Sequence, residues 1–537
     1  MMKNIEYQKM FRSFSSILLL SSFLLLVGCN KFLDTQPQNV TPVSDYYSTV
    51  AQINSALTGV YSVLASPNLY GDAMWDAYGA PTDESFYTSS STITGPQVMN
   101  FTSSDPNIAN TWAELYIGIN RANLVLDNLN KPSMDSTSRA TIKGQALFLR
   151  AYYYFLLVSN WGDVPLRLNS TSSPDSVSFP RTDSKIVYDQ IIADMTAADS
   201  LVQPITFYGF GGRISKTTVE GILARVCLYR AGFPFTDDHL PWFKQSLYWS
   251  NKVLNAGIHS LNPSYSQVFI NHCQNVFDIK ESMWEVMFYG TGNGNPYPQL
   301  GRVGNINGVT CKDLVRGYCY GFISAQSKLY NSFNVKDTIR RDWCISTYTD
   351  TTSAAGVTAR SYYSKTSIYN RCDGKWRREY EIGNNKQKNN TSINFPLLRF
   401  ADVLLMKAEA ENEVNNGPTP ESYNAINQVR RRGYGYPVNT PNVISDVPSG
   451  LSYAAFQQAV YDERYKELCF EALRRNDLIR WGIYIPTMKT MAQQMPTSAA
   501  ALASVAANNI QQKNVLFPIP IGELSLNPGI GKQNVGW

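Results

Sequence analysis

The chain has 537 residues, of which 44% are hydrophobic, 12% aromatic and 17% charged, with a formal net charge of +5. That length suits two or three domains or one large one, and so weak a field gives no footing for nucleic acid. Only the N-terminal apolar run approaches membrane-spanning character, which takes roughly 18–20 uninterrupted apolar residues.

Lys3, Lys9 and Arg12 form a positive n-region, followed by an apolar run from Ile17 to Val27. It is too short to span a bilayer and fits a cleavable signal sequence. It ends in Leu26-Val27-Gly28-Cys29, the pattern of a bacterial lipobox. Small residues there let a peptidase approach, and the Cys29 thiol accepts the diacylglycerol. Residues 1–28 are thus predicted as a signal peptide and residues 29–44, polar and Pro-containing, as a lipid-anchored tether. Each acyl CH₂ buried in the bilayer is worth about 0.8 kcal/mol. Three basic residues and one acidic residue precede Cys29, which leaves 44 basic and 41 acidic side chains, a net charge of about +3.

The first strong helical period covers 139–158, where Ile142, Ala146, Leu149, Tyr153 and Leu156 recur at spacings of 4, 3, 4 and 3. Asn160-Trp161-Gly162-Asp163-Val164-Pro165 ends it. A second helix is predicted over about 184–202, with Val187, Ile191, Met195 and Ala198 inward and Thr182 or Asp183 as cap. A third carries Val219, Ile222, Leu223 and Val226, with Thr217 and Glu220 at capping-box spacing and Gly232 as terminator. With the next helix (Phe243, Leu247, Leu254) it makes a hairpin, 217–232 with 242–256. A second hairpin joins 398–415 to 420–432 through Asn416-Gly417-Pro418. A densely charged helix is predicted over 453–480, with Glu471 and Arg475 as an i,i+4 pair.

Such hairpins suggest TPR-like stacking, although the roughly 34-residue period is not kept. Residues 260–395 differ: Gly, Asn, Tyr and Trp are common and sustained helical periodicity is absent. A compact protein seldom keeps so long an irregular segment without using it. Beyond Cys29 there are seven cysteines. Cys227 and Cys469 fall in helical patterns and read as buried thiols, whereas Cys311 with Cys319, or Cys344 with Cys372, could bridge in an exported protein.

His239, His259 and His272 are 20 and 13 residues apart, with no HExxH, and there is no Cys-x-x-Cys, so neither a metal nor a cofactor is expected. Gly-x-Ser-x-Gly and Gly-x-x-x-x-Gly-Lys-Ser/Thr are absent, and Gly290-Thr-Gly292-Asn-Gly294 lacks the third Rossmann glycine at Asn295. A pair of glycosidase carboxylates is not something a sequence alone can place.

An ordered set of motifs carries a family resemblance. It runs from Phe32-Leu33-Asp34 through Trp112 to Asn123, Leu149-Arg150-Ala151-Tyr152, Trp161-Gly162-Asp163-Val164-Pro165, Pro180-Arg181-Thr182 and Gly212-Arg213-Ile214-Ser215. It continues with Arg399-Phe400-Ala401-Asp402, Glu463-Arg464-Tyr465-Lys466-Glu467, Arg474 to Gly482, Pro518-Ile519-Pro520 and Gln533-Asn534. Together these resemble the SusD/RagB family of outer-membrane nutrient-binding lipoproteins of Bacteroidetes, over nearly the whole mature chain from Cys29, with residues 45–537 as a single domain. The resemblance implies a mainly α fold, with TPR-like hairpins (about 139–256 and 396–482) as scaffold and an irregular ligand-binding region (about 260–395). It implies a SusC-like TonB-dependent transporter as partner, and an outer-membrane location facing the exterior. Arg150, Arg399, Asp402, Glu467 and Arg474 are expected to hold helices together.

The expected function is capture of oligosaccharide or polysaccharide without catalysis. Peptide capture, a glycoside hydrolase and a TPR adaptor are the alternatives. Tyr and Trp cover the C–H faces of sugars, while Asn, Asp and Arg supply directional hydrogen bonds. The irregular stretch 284–380 contributes Tyr289, Asn293, Asn295, Tyr297, Tyr320 and Trp343 as candidates, and the loop 83–101 contributes Asp83, Tyr87, Asn100 and Phe101. The two segments are expected to face each other over the ligand. Trp284 and Phe288 are expected in the core.

Overall fold

The computed structural model describes residues 46–171, 178–289, 300–353, 356–383, 386–496 and 500–537. Cys29 and the tether lie outside them, as do Asn293, Asn295 and Tyr297. Helices dominate. In chain order they begin with α1 (Val50–Tyr61), α2 (Pro106–Asn128), α3 (Ser136–Trp161), α4 (Ser184–Asp199), α5 (Lys216–Arg230) and α6 (Leu240–Asn255). Each packs on the next.

Their ends follow from side chains that satisfy the otherwise unpaired first-turn amides. Asp105, Asp135 and Asp183 accept from amides of α2, α3 and α4. Helix α3 is buried almost throughout from Ile142 onward and stops at Gly162, whose φ of 74° suits glycine. The cap of α5 is Ser215, which accepts from the Thr218 amide, and not Thr217 with Glu220. Those two side chains are drawn elsewhere: Thr217 Oγ1 meets His259 Nε2 at 2.8 Å, and Glu220 pairs with Lys252 at 3.2 Å. Gly232 lies just past the end of α5, where a Cβ would come within 2.5 Å of the Arg480 carbonyl.

After α6 the chain leaves the stack. It forms α7 (Tyr265–Gln274), α8 (Ser327–Ser332) and α9 (Thr338–Cys344), together with short strands. Antiparallel pairs join β1 (Ser85–Tyr87) to β3 (Ile323–Ala325), β2 (Ser282–Val286) to β6 (Phe395–Arg399), and β4 (Tyr348–Thr352) to β5 (Thr358–Tyr362). These elements are too short for a sustained period, which is why 260–395 reads as irregular. Trp284 and Phe288 are buried here, as expected. The stack then resumes: α10 (Phe400–Asn415) packs directly on α6, and α11 (Pro420–Tyr434) and α12 (Tyr453–Glu467) pack on α10.

The expected helix over 453–480 is broken. Leu468–Leu473 separates α12 from α13 (Arg474–Arg480), with Phe470 and Ala472 at φ 62° and 60°. Glu471 therefore turns inward and bonds Arg399 and Lys375, and makes no pair with Arg475. Arg475 instead reaches Asn160 Oδ1 at 2.9 Å and the carbonyls of Asn514 and Val515. The seven cysteines are all buried free thiols, so neither proposed bridge is present. Cys311 and Cys319 face each other as a mutually hydrogen-bonded strand pair, Cys344 takes a 3.0 Å contact with the Tyr265 hydroxyl, and Cys372 meets Thr310 Oγ1 at 3.1 Å.

The resumed stack and the irregular lobe are joined by a buried ionic network. All five N–H groups of Arg399 find acceptors: Glu281, Glu467 and Glu471 carboxylates at 2.7–3.0 Å and the Glu467 carbonyl at 3.3 Å. Arg432 and Arg340 also reach Glu467, at 2.6 and 3.2 Å, and Lys375 reaches Glu471 at 2.6 Å. Near it, Glu84 accepts from the Phe470 amide. Burial raises the Glu84 carboxyl to about 8, so it keeps its proton in the fold at neutral pH. Stability from that proton is fully present below the ordinary value of 4.5 and is lost as pH rises towards 8. Glu84→Gln keeps the acceptor and removes the titration. Its melting temperature is expected to match wild type at pH 5 and exceed it by a few degrees at pH 9, as read by circular dichroism; equal melting at both would refute the protonated state.

Candidate ligand-binding site

The two segments singled out in the sequence are paired in the fold. Tyr87 in β1 lies opposite Ile323 in β3, and the Thr88 amide donates to the Phe322 carbonyl at 2.8 Å. The chain leading into β3 is extended. The amides of Tyr320 and Phe322 donate to Asn305 and Ile306 carbonyls at 2.7 and 2.8 Å. Alternate side chains of an extended chain share a face. Cys319 and Ile323 point into the core, while Tyr318, Tyr320 and Phe322 are only half buried.

The result is a ladder of four rings. Tyr318 and Tyr320 meet edge-on at 5.0 Å, Tyr320 and Phe322 stack at 5.1 Å and 26°, and Phe322 meets Tyr87 at 5.6 Å. Polar groups border both ends. Beyond Tyr318, the Lys388 ammonium lies 5.0 Å from the ring centroid, and the Tyr320 hydroxyl donates to Asn389 Oδ1 at 2.9 Å. Beyond Tyr87 lie Asp72, Asp76, Gln97 and Arg302: Arg302 Nη1 donates to Asp72 at 2.9 Å, and Gln97 Nε2 to Asp76 at 3.2 Å. Burial, then the neighbouring Asp76 and Asp72, push the Tyr87 phenol up, so it stays a neutral hydroxyl. Burial and the Asp72 charge raise Asp76 to about 8.

Of the sequence candidates, Tyr87 and Tyr320 belong to this ladder. Tyr289 is exposed at 61% and precedes the undescribed residues 290–299. The others stand apart. Asp83 is fully buried, bonded to Arg474 at 2.8 and 2.9 Å and to Lys328 at 2.6 Å; these cations outweigh its burial and hold its carboxyl at about 2. It ties β1 to α13 and has no free face for a ligand. Phe101 is buried against Trp537 at 4.9 Å. Asn100 closes its own loop, donating to the Ile93 carbonyl at 2.9 Å, and borders a separate hollow of about 410 Å³ with Lys489 and Lys513. Trp343, in α9, lies under the Arg377 guanidinium at 3.9 Å and beside Tyr380. Sequence reasoning missed Tyr318 and Phe322 in the ladder and Asp72, Asp76, Gln97, Arg302, Lys388 and Asn389 at its ends. The alternation Tyr318-x-Tyr320-x-Phe322 was the available signal.

The geometry has relatives. One family model, described as the SusD family, matches residues 352–537, and another, described as starch-binding associating with outer membrane, matches residues 31–228. The crystal structure of a SusD homolog from Bacteroides thetaiotaomicron superposes with a TM-score of 0.85 at 29% identity, over 93% of this chain and 99% of that one. The chain belongs to the SusD family. SusD-like protein P25 of Formosa agariphila is 24% identical over 93% of this chain and 94% of its own. A laminarin-binding SusD-like protein has a TM-score of 0.69 at 22% identity, over 91% of this chain and 100% of that one.

The SusD-type motifs prove to be internal braces. Arg150 binds Asp194 through two nitrogens at 2.8 and 2.9 Å and also reaches Asn123. Asp402 sits between Arg225 at 2.6 Å and Arg464 at 2.7 Å. Trp161 Nε1 donates to the Pro518 carbonyl at 3.0 Å, and Asn534 donates back to the Trp161 carbonyl at 2.9 Å. These residues brace this chain's fold without touching the ladder.

Proposed function

We propose that this SusD-family chain is a non-catalytic glycan-binding lipoprotein. It is anchored in the outer membrane through Cys29, faces the exterior, and hands oligosaccharide to a SusC-like TonB-dependent transporter. The ladder Tyr318–Tyr320–Phe322–Tyr87 carries this reading. Half-exposed rings aligned over several steps suit the repeated C–H faces of a sugar chain, and the bordering amide, carboxylate and guanidinium groups suit its hydroxyls. Related proteins support it: one structural neighbour is a laminarin-binding protein, and another is surface glycan-binding protein A from Bacteroides fluxus. Among the described residues no helix is long and apolar enough to cross a membrane; in this reading the Cys29 lipid provides the attachment.

Binding is tested by calorimetric titration of the purified chain against a panel of defined oligosaccharides, followed by chromatography of the recovered sugar. Micromolar or tighter binding of at least one, recovered intact, is expected. No binding across the panel would reject the reading, and shortened products that track with the protein would reject its non-catalytic part. For the anchor, Cys29→Ala is expected to leave unprocessed precursor or released protein in membrane fractionation; lipidated, mature protein from that variant would refute it. Purification from native membranes in mild detergent is expected to bring down a β-barrel transporter.

A further inference from the structure

The polar groups at the two ends of the ladder differ in how far they are already used. At the Tyr87 end, Arg302 is held by its backbone amide on the Gly71 carbonyl and by Nη1 on Asp72. Its Nε and Nη2 have no acceptor among the described residues, and its side chain is 36% exposed. At the Tyr318 end, the exposed Lys388 ammonium rests on the ring face with no carboxylate partner among the described residues. The nearby acids are spent or hidden: Asp72 is paired with Arg302, and Asp76 is 7% exposed. Among the described residues, the most exposed charged groups at the two ends are therefore cations, beside the neutral amide of exposed Asn389.

Resting on the glycan-binding reading, we propose that the ladder selects anionic glycans, with Arg302 and Lys388 receiving carboxylate or sulfate groups on sugar units at either end of the stacked stretch. A guanidinium with two unclaimed N–H directions suits a planar or tetrahedral oxyanion. An ammonium over an aromatic face leaves its outward hydrogens for a second one. The raised Asp76 carboxyl, about 8, carries little negative charge at neutral pH to oppose such a ligand.

The test compares three probes of equal length on the full chain in mild detergent: an oligogalacturonide, a sulfated galactan oligosaccharide and a neutral laminari-oligosaccharide. An acidic probe is expected to bind at least tenfold tighter than the neutral one at 50 mM salt, with the gap shrinking at 500 mM as the charges are screened. Whichever acidic probe leads tells carboxylate from sulfate. Lys388→Met is expected to weaken that probe about five- to tenfold and leave melting unchanged; Arg302→Met is expected to weaken it similarly while lowering the melting temperature, because Asp72 loses its partner, and Arg302→Lys keeps that charge and separates its loss from loss of the fork. Equal or tighter binding of the neutral probe, or acidic binding untouched by either substitution, would overturn the proposal and leave glycan capture standing. Failure of all three probes would overturn both.

Discussion

Replacing Arg399 by alanine is expected to remove about 3–5 kcal/mol of folding stability, the usual cost of breaking a buried ion pair from one side. The guanidinium is 1% exposed, and its five N–H groups are shared among Glu281, Glu467 and Glu471. Truncation would leave those carboxylates facing one another, with Arg432 and Lys375 unable to neutralise all three. Lysine should rescue little, because one ammonium cannot reproduce a planar fork. Urea unfolding followed by circular dichroism measures the loss; a change below 1 kcal/mol would mean that solvent or neighbouring cations absorb the charge. The network does not imply that ions are better than a greasy core, since well-packed apolar substitution of all partners together is often neutral.

The second large effect is on binding. Tyr87 and Tyr320 do not touch each other but both pack on Phe322, so their losses should combine, with some coupling through that shared ring. At about 1–1.5 kcal/mol per stacked ring, the double change Tyr87→Ala, Tyr320→Ala is expected to weaken glycan affinity about hundredfold. Both rings are half exposed, so melting should move by only a few degrees. The control is Trp376→Ala. That ring is fully buried and should cost about 3–5 kcal/mol of stability while leaving the dissociation constant of the folded fraction unchanged. Wild-type affinity in the double variant would move the site away from the ladder.

The scaffold was legible because its signals are local. The period over 139–158, the Asp183 cap and the Asn416-Gly417-Pro418 turn each act within a few residues, whereas the Ser215 cap was missed because Thr217 and Glu220 offered capping-box spacing. The break inside 453–480 was not legible. What turns Glu471 inward is Arg399, 72 residues earlier, and a heptad count sees only neighbours. The candidate site was half legible for the same reason. Tyr87 and Tyr320 stand out as aromatics in non-helical stretches, but Asp72, Asp76 and Arg302 join them only because α2, the loop before it and the lobe meet in space. Asp83 misled because a carboxylate in a loop looks available until Arg474, 391 residues away, is seen to claim it.

That last distance bears on how the chain is made. Asp83 and Glu84 wait for Arg474 and for the Phe470 amide, Tyr484 bonds the Pro81 carbonyl, and Trp161 needs Pro518. A ribosome releases the N-terminal end first, at about 5–20 residues per second. For tens of seconds the first half therefore holds buried-type carboxylates and an indole whose partners do not yet exist. Early helices can pair with their neighbours as they emerge, but the first half cannot close. A chain kept open in this way remains threadable, as the proposed export through a membrane channel would require, and it ties down its first half only when the last residues arrive.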